Sequence, residues 1–282
     1  MEQIPIFVIN LARRPDRLKR ISEHLDAHGV EWSRVDACDA SRVDPEQLDQ
    51  VIAPSGPLGA LGLGDRACTV SHCFAWRSFL NSSARYALFL EDDVYLAADL
   101  ASLLQNEAWV PPGVHVIKLE KFGAGRSRVL LGPASATLPG TARSLHRMYS
   151  RHVGGGAYIL SRIGAEMALA ECGRMRVPID HLLFNDTVSP VFHQLRPMIL
   201  RPAMATQRYY VYNSDIAKYG KAARPKGWRL RLRHLQRGLR EVSQAHRQLF
   251  ALATGRARIL ELEWQDVSAT EGPLKSDSVA PP

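Results

Sequence analysis

One stretch of the sequence constrains the fold more than any other: the apolar run Tyr86–Leu90, which ends abruptly in Glu91, Asp92 and Asp93. Short apolar runs without polar alternation are typical of strands that are covered on both faces, so a buried strand of an α/β sheet is predicted here. Ligand sites in open α/β sheets lie at the carboxyl ends of such strands. The acidic triplet therefore indicates a ligand site, and a solvated turn after the strand is the alternative.

Three adjacent carboxylates favour a bound cation. Ionised groups in a half-buried crevice repel one another and lose hydration, which is costly unless a positive charge neutralises them. Oxygen ligands suit Mg²⁺ or Mn²⁺, which proteins hold through one or two carboxylates together with substrate phosphates. A divalent-metal site at Glu91, Asp92 and Asp93 is the resulting hypothesis.

The first forty residues predict a βαβ unit. A strand over Ile4–Asn10 is followed by a helix that begins near Pro15 and stops at Gly29, and by a second strand over Glu31–Ala37. A nucleotide is expected at the loop after the first strand. That loop has neither a GxGxxG nor a GxxxxGK[ST] motif, which argues against a dinucleotide fold and a P-loop.

Charged residues beside these two strands are candidate nucleotide ligands. Arg13, Arg14 and Arg17 are suited to phosphate groups, although arginines on a first helical turn are equally compatible with plain surface. Asp36 and Asp39 follow the second strand, where a carboxylate can accept hydrogen bonds from a ribose or a base. Aspartates that form a turn are the alternative.

Further along, a helix is predicted from an N-cap at Asp65 to about Leu80. His72 lies on its apolar stripe one turn before Trp76, either as a hydrogen-bonded core histidine or as part of the site. A strand over Val114–Leu119 follows, and residues 123–142, rich in Gly, Pro, Ser and Ala, are expected to form a mobile loop over the site.

Three glycines, Gly154–Gly156, precede a strand over Ala157–Leu160 and a helix over Arg162–Glu171. Glycines let a backbone approach a ligand closely, and a tight turn into the strand would explain them equally well. Pro178 then opens another helix, with Asp180 near its positive end either as a functional carboxylate or as an ordinary first-turn acid.

Composition sets the class of protein. A chain of 282 residues, 46% of them hydrophobic, can bury a large core in one large or two modest domains. The four cysteines show no CxxC pair and no zinc-finger spacing, which favours reduced thiols in a cytosolic protein. The first eleven residues lack a basic region and a long apolar core, so a strand is expected there and not a signal peptide. No stretch is long and apolar enough to predict a membrane span.

The net charge of +8 is concentrated in one segment. Residues 218–258 hold twelve Lys or Arg and one acid, Glu241, which gives +11 and leaves −3 for the rest of the chain. From Trp228 onward, apolar residues alternate four and three apart with arginines between them, which predicts a basic amphipathic helix in an extension over residues 218–265. Residues 266–282 are expected to be a disordered tail.

A basic amphipathic helix has three interpretations. It suits an anionic membrane surface, where each basic residue contributes about 1 kcal/mol. It would equally well pack its apolar stripe on the domain. Nucleic acid is a weaker candidate, because the segment has one Trp and no interleaved aromatic residues.

Several segments in a fixed order carry a resemblance to a known family. They are Val8–Arg17, Val35–Ala37, Gly64–Trp76 with its Ser71-His72 pair, Ala87–Asp93, and Gly156–Ser161 followed by Pro178–Asp180, with Gln207 and Ser214–Ile216 as closing motifs. Over roughly residues 4–217 the chain resembles glycosyltransferase family 25, the lipopolysaccharide and lipooligosaccharide sugar transferases whose relatives include collagen galactosyltransferases. It departs from the usual Gly-Glu-Ile-Gly-Cys, which here reads Gly64-Asp-Arg-Ala-Cys68.

This resemblance implies a GT-A-like, Rossmann-type α/β fold with a mixed sheet flanked by helices over residues 1–217. It also implies a UDP-sugar donor, usually UDP-galactose, a divalent metal, often Mn²⁺, and inversion at the anomeric carbon. Glu91 and Asp93 would occupy the ends of the DxD-like motif and share the metal, because alternate residues of an extended backbone face the same side. Asp92 between them would point elsewhere.

The same mapping assigns roles to further residues. Asn10, Arg14, Arg17 and Asp36 fall where the nucleotide would bind. An inverting transferase needs a base that deprotonates the acceptor hydroxyl, and Asp180 is the candidate. His72 or His181 would orient the acceptor.

The predicted enzyme therefore moves a sugar onto a glycolipid or oligosaccharide acceptor, in the cytoplasm or at the inner face of the cytoplasmic membrane. Two rivals use the same residues differently. A nucleotidyl or phosphoryl transferase would use the same carboxylates, and a non-catalytic membrane adaptor would use the basic helix alone. Nucleic acid is not expected as a partner.

Overall fold

The computed structural model describes residues 3–123, 125–207, 238, 242 and 245–266. The closing motif Ser214–Ile216, most of the predicted basic helix and residues 267–282 of the predicted tail lie outside the described residues.

Helices and strands are interspersed along the described part of the chain. The strands are β1 (Ile6–Asn10), β2 (Trp32–Asp36), β3 (Ser55–Gly56), β4 (Gly59–Ala60), β5 (Tyr86–Glu91), β6 (Val94–Leu96), β7 (Val116–Lys118), β8 (Glu120–Lys121), β9 (Ser127–Thr137), β10 (Ser144–Met148), β11 (Ala157–Ser161), β12 (Met198–Arg201), β13 (Ala205–Gln207) and β14 (Arg258–Leu262). The helices are α1 (Pro15–Ala27), α2 (Pro45–Asp49), α3 (Leu63–Leu80), α4 (Leu100–Leu104), α5 (Arg162–Leu169), α6 (Ile179–Phe184) and α7 (Phe192–Leu195). Residues 245–253 are also helical.

A mixed sheet forms the centre of the described part of the chain, with strand order β14-β9-β10-β12-β7-β11-β5-β1-β2. Strands β2, β1 and β5 run parallel, and β11 runs antiparallel to both β5 and β7. In this register Ile9 pairs with Glu91, so the carboxyl ends of β1 and β5 meet at the same edge of the sheet.

Apolar residues on the two faces of the sheet build two cores. Along β5, Ala87 and Phe89 pack into the core beneath α3 and α6, whereas Leu88 and Leu90 pack into the core beneath α1 and α4. Successive side chains of a strand point to opposite faces, which explains why this unbroken apolar run is buried on both. The prediction of an α/β fold with helices on both faces is confirmed.

A small second sheet, in the order β6-β13-β8, lies beside the acidic triplet. Strand β6 begins directly after Asp93, and its pairing with β13 sets Gln207 opposite Val94. Glu120 begins β8, which pairs with the other side of β13. This sheet therefore brings polar side chains from distant parts of the sequence to the end of β5.

Three expectations about individual segments are wrong. Residues 123–142 do not form a loop, because Ser127–Thr137 is a strand that pairs with β10 on one side and β14 on the other. The helix α3 begins at Leu63 and has Gly62 as its N-cap, so Asp65 lies within the first turn. In the extension, residues 258–262 form the strand β14 and not part of a helix.

The remaining early elements agree with the sequence patterns. Gly29 follows the end of α1 with a φ of 64°, the left-handed conformation that glycine adopts readily. Strands β1, β2, β5 and β11 and helices α1, α5 and α6 lie within a few residues of their predicted bounds. Across the described ranges, no helix is both long enough and apolar enough to cross a membrane.

Candidate active site

The acidic triplet lies at the carboxyl end of β5, and its middle residue is fixed by β1 and α1. Asn10 Nδ2 donates to Asp92 Oδ2 at 2.7 Å, and Arg17 Nη1 donates to Asp92 Oδ1 at 3.1 Å. Arg34 Nε in turn donates to Asn10 Oδ1 at 3.1 Å. The side chains of Arg17 and Asp92 are only 6% and 7% exposed, so this ion pair lies in the protein interior. Asp92 is therefore held by the scaffold.

The two outer carboxylates, Glu91 and Asp93, both contact the same side-chain amide. Gln207 Nε2 lies 3.0 Å from Glu91 Oε2 and 3.0 Å from Asp93 Oδ1, so one amide group donates to both. Both carboxylate side chains keep about a fifth of their surface exposed, at 19% and 20%. They face the cavity at the sheet edge.

The electrostatics of these two carboxyls are unfavourable without a cation. Burial, with added repulsion from Asp92, raises the pKa of Glu91 to about 7. Burial, with repulsion from Glu91 and Asp92, raises the pKa of Asp93 to about 7 as well. Arg17 opposes both shifts but is shared with Asp92. A divalent cation between Glu91 and Asp93 would remove this repulsion, so the donor set fits a hard metal such as Mg²⁺ or Mn²⁺.

A chain of hydrogen bonds through three buried aromatic side chains ends at Glu91. Trp76 Nε1 donates to the Tyr158 hydroxyl at 2.8 Å, and that hydroxyl lies 2.8 Å from His72 Nδ1. Because Trp76 can only donate, the Tyr158 proton is left for His72 Nδ1. His72 Nε2 then carries the ring proton toward Glu91 Oε1, which is 3.3 Å away. Burial lowers the pKa of His72 to about 3, so the ring is neutral.

A mixed set of possible metal ligands also includes Glu91. Cys68 Sγ, His72 Nε2 and a Glu91 oxygen lie within 4.8 Å of one another. Burial raises the pKa of the Cys68 thiol well above its usual range, so the thiol stays protonated. His72 Nε2 carries the ring proton that faces Glu91 and therefore has no lone pair for a metal. Thiolate and unprotonated imidazole are the forms that bind metals. The oxygen pair of Glu91 and Asp93 is therefore the better metal site.

The glycine turn Gly154–Gly156 closes the site on the side of α6. Gly154 N donates to Asp180 Oδ2 at 3.2 Å, and Gly156 N donates to Glu120 Oε2 at 3.0 Å. A Cβ placed on Gly155 would lie 3.7 Å from Glu91 Oε1 and 3.9 Å from Asp180 Cβ. Asp180 is thus brought close to Glu91, with the backbone of Gly155 between them.

A fully buried ion pair anchors this turn. Lys118 Nζ lies 3.2 Å from Glu120 Oε2 and also donates to the carbonyl of Gly154. Both side chains have no exposed surface. Their pairing and their bonds to the turn offset the cost of burying both charges, and of their charged atoms only Glu120 Oε1 is left without a hydrogen-bond partner among the described residues.

A cavity of about 90 Å³ opens beside the carboxylates. Its walls come from the ends of β1 and β2, from α1 and from one face of α3, with Arg13 and Arg17 on one side and Cys68 and His72 on the other. Ser71 Oγ accepts a hydrogen bond from Cys38 N at 2.8 Å, which ties the loop after β2 to α3. The βαβ unit thus forms the wall where a nucleotide was expected.

Not all of the predicted site residues line this cavity. Arg14 is paired through Nη2 with Asp16 Oδ2 at 2.7 Å, and Asp36 is 76% exposed and paired with Arg34 Nη2 at 2.7 Å. Neither residue lines the cavity, and neither do Asp180 and His181, whereas Arg17, His72 and the acidic triplet do. Asn10 is buried beneath the cavity, where it holds Asp92. His181 donates its backbone N–H to Asp180 Oδ1 at 2.8 Å.

The spacing of residues in the sequence did not predict several other polar residues of the site. Gln207 stood out only through the family resemblance, and nothing local connects it with Glu91, which lies 116 residues earlier. Tyr158 lies within an apolar run and gives no sign that its hydroxyl links Trp76 to His72. Lys118 and Glu120 are charges at the end of an apolar strand, and that position in the sequence is the signal that could have placed them here.

Comparison with known proteins identifies the family of the chain. Residues 3–183 match the family model described as glycosyltransferase family 25 (LPS biosynthesis protein). The chain belongs to glycosyltransferase family 25. It is therefore a glycosyltransferase, and the matched family 25 region includes β1, α3, the acidic triplet and Asp180.

Family 25 relatives include bacterial and animal proteins. A lacto-N-neotetraose biosynthesis glycosyltransferase of Neisseria meningitidis serogroup B is 27% identical over 226 residues, covering 74% of this chain and 79% of that protein. The lipooligosaccharide biosynthesis protein lex-1 of Haemophilus influenzae is 26% identical, covering 55% of each chain. Procollagen galactosyltransferase 2 of Homo sapiens is 26% identical, covering 68% of this chain and 31% of that one.

Proposed function

We propose that this chain transfers galactose from UDP-galactose, with inversion, to a lipopolysaccharide or lipooligosaccharide glycan, and that it requires Mn²⁺ or Mg²⁺. The observation that carries the proposal is the convergence of Glu91 and Asp93 on one hydrogen-bond donor, Gln207 Nε2, beside a cavity walled by a βαβ unit. A GT-A-like fold is part of the proposal, because a nucleotide bound there would direct its diphosphate toward these carboxylates.

Glu91 and Asp93 would hold the metal, with Gln207 beside it. When bound, the metal supplies positive charge that stabilises the diphosphate leaving group as the bond to the sugar breaks. Arg17 adds a fixed positive charge in the same region, and Arg13, whose Nε donates to Asp39 Oδ2 at 2.8 Å, adds a second guanidinium to the lining of the cavity. Asn10 and Arg17 keep Asp92 immobile, so the two carboxylates that face the cavity are presented in a fixed geometry.

Asp180 is proposed as the base. Its carboxylate lies across Gly155 from Glu91 and is oriented by the N–H groups of Gly154 and His181. In an inverting transfer, the acceptor hydroxyl attacks the anomeric carbon on the face opposite the diphosphate, and Asp180 takes the hydroxyl proton. His72 is neutral and donates to Glu91, so its proposed role is to fix the orientation of that carboxylate and, with it, the approach of the acceptor.

The substrates are proposed from the relatives. The names of the bacterial relatives refer to lacto-N-neotetraose and lipooligosaccharide biosynthesis, and that of the human relative to galactosyl transfer. The basic segment of residues 218–258 would attract the enzyme to an anionic membrane surface, which is where a lipid-linked acceptor lies. A cytoplasmic enzyme, peripheral at the inner face of the membrane, is the corresponding location.

Sugar transfer by single-residue variants tests the proposal. Glu91→Gln and Asp93→Asn should each lower transfer from UDP-galactose to a lipooligosaccharide acceptor by about a hundredfold or more, because each removes a metal ligand but keeps the side-chain shape. Glu23→Gln is the matched control, since Glu23 is 66% exposed on α1 and should leave transfer unchanged.

Two results would contradict the proposal. Transfer that is unchanged in correctly folded Glu91→Gln and Asp93→Asn variants would exclude these carboxylates from the reaction. Release of a nucleotidyl or phosphoryl group without sugar transfer would favour the rival transferase, and membrane binding without any transfer would favour an adaptor.

A further inference from the structure

A second cavity, of about 340 Å³, lies between the end of β10, α7 and the helical residues 245–253. It shares no lining residue with the carboxylate cavity. Asp186, two residues beyond the end of α6, lines it, whereas Asp180 near the start of that helix belongs to the candidate active site. The cavity is therefore separate from the site proposed for sugar transfer, and we refer to it as the arginine cleft.

Four arginines line the arginine cleft, and three of them, Arg147, Arg247 and Arg256, have no carboxylate partner within the described part of the chain. Arg147 lies 5.4 Å from the ring centroid of Tyr149, and Arg256 lies 5.4 Å from that of Phe250. Arg247 Nη1 lies 2.7 Å from His193 Nε2. Within the described ranges, Arg147, Arg247 and Arg256 form no ion pair. Clustered positive charges repel one another and raise the local potential, which favours an anionic ligand.

The other titratable groups that line the cleft include His193 and Asp186. Burial and the nearby Arg247 lower the pKa of His193, so a neutral ring accepts the Arg247 N–H and leaves the remaining guanidinium donors for a ligand. Asp186 is the one carboxylate among the described residues that line the cleft. Its Oδ2 already accepts from Gln248 Nε2 at 2.9 Å, while its buried Oδ1 has no hydrogen-bond partner there.

We propose that the arginine cleft binds a phosphate monoester carried on a sugar or on a lipid headgroup. Guanidinium groups match phosphate oxygens in geometry and charge, and each can donate two parallel hydrogen bonds. The ring of Phe250, a residue that is 57% exposed, offers an apolar surface beside the charges, as a sugar ring or glycerol backbone requires. A volume of about 340 Å³ is large enough for one phosphorylated sugar.

Calorimetric titration of the full chain with glucose 6-phosphate, and separately sedimentation with phosphatidylcholine vesicles that contain phosphatidic acid, tests this site. Arg147→Gln, Arg247→Gln and Arg256→Gln should each weaken binding about tenfold, because each removes charge-assisted hydrogen bonds. Arg128→Gln is the matched control, an exposed arginine on β9 outside the cleft, and should change affinity less than about twofold. Glucose and pure phosphatidylcholine are the uncharged probes.

The two arms also identify the source of the phosphate. Binding of glucose 6-phosphate that the cleft variants weaken assigns the site to phosphorylated sugars, and vesicle binding that the same variants weaken assigns it to lipid headgroups. The Glu91→Gln/Asp93→Asn double variant should bind the responding probe as the unmodified protein does. Absence of binding to both probes would overturn the proposal, as would binding that is weakened by the carboxylate variants and not by the cleft variants.

Discussion

Asp92 and its two neighbours have opposite environments although they are consecutive in the sequence. The backbone at the end of β5 turns Asp92 toward Asn10 and turns Glu91 and Asp93 toward Gln207, while Arg17 Nη1 donates to both Asp92 and Asp93. This alternation follows from the geometry of an extended chain and was predictable from the sequence. The partners of each side chain were not predictable from the sequence, because they come from the distant elements β1, α1 and β13.

Asp92→Asn should destabilise the fold by about 3 kcal/mol, because it removes the more deeply buried of the two carboxylates that pair with Arg17. Urea unfolding monitored by circular dichroism measures this change. Asp26→Asn on the exposed side of α1 is a control that should change stability by less than about 0.5 kcal/mol. A change of similar size in both variants would show that the Arg17–Asp92 pair does not hold the site together.

Glu91 and Asp93 should make metal-free stability depend on pH in the reverse of the usual direction for carboxylates. Because the folded-state pKa of each is raised to about 7, the folded protein binds more protons than the unfolded chain between roughly pH 4.5 and pH 7. Their contribution to stability is therefore present at low pH and is lost as pH rises through 7. Compared with the unmodified protein, the Glu91→Gln/Asp93→Asn double variant should gain stability between pH 5 and pH 8.

Urea unfolding at both pH values, in the presence of a chelator, measures this gain. Because the two proteins share every other titrating group, their difference isolates these two carboxyls. A difference that stays constant from pH 5 to pH 8 would contradict the raised pKa values.

Among the structural elements, the glycine turn before β11 contains two neighbouring glycines that differ in how much space a side chain would have. A Cβ on Gly156 would lie 2.7 Å from Gln207 Nε2 and 3.0 Å from Val94 Cγ1, whereas on Gly155 the nearest atom would be 3.7 Å away. Gly156→Ala should therefore lower stability by about 1–3 kcal/mol and displace Gln207 from the two carboxylates. Gly155→Ala, the matched control, should change the free energy of unfolding by less than about 1 kcal/mol. Equal effects in urea unfolding would argue against close packing of Gln207 on the turn.

Elements with strong local signals were predictable, and elements that depend on distant partners were not. The apolar run before Glu91 predicted β5, and Pro15 and Gly29 predicted the bounds of α1. Strand β9 contains Gly132 and Pro133, which are typical of loops, and it is a strand because β10 and β14 pair with both of its edges. The same applies to β14, whose sequence was interpreted as the end of a basic helix.

Part of the candidate site could be predicted for similar reasons. Arg17, His72 and the acidic triplet lie on elements whose positions followed from the sequence pattern, and all of them line the cavity. Arg14 and Asp36 were also expected there, but each is paired with a neighbour in the sequence, Asp16 and Arg34. Spacing alone does not show which of several nearby charges will form such a local pair.

At the scale of the whole molecule, the clustered carboxylates and the clustered arginines lie in two separate cavities, which suit a cation and an anion respectively. The carboxylate cavity lies at the end of the parallel strands, and the arginine cleft lies between β10, α7 and the helical residues 245–253. Family membership establishes sugar transfer as the chemistry. The central proposal that remains is a metal-dependent nucleotide site at Glu91 and Asp93.

Calorimetric titration of UDP into the protein, with and without saturating Mn²⁺, tests that proposal most directly. We expect UDP to bind at least about tenfold more tightly with Mn²⁺, because the metal is shared between the diphosphate and the two carboxylates. The Glu91→Gln/Asp93→Asn variant should lose this enhancement, and Glu23→Gln should keep it. UDP binding that is equally strong with Mn²⁺ and with a chelator, in the unmodified protein, would contradict a metal site at the end of β5.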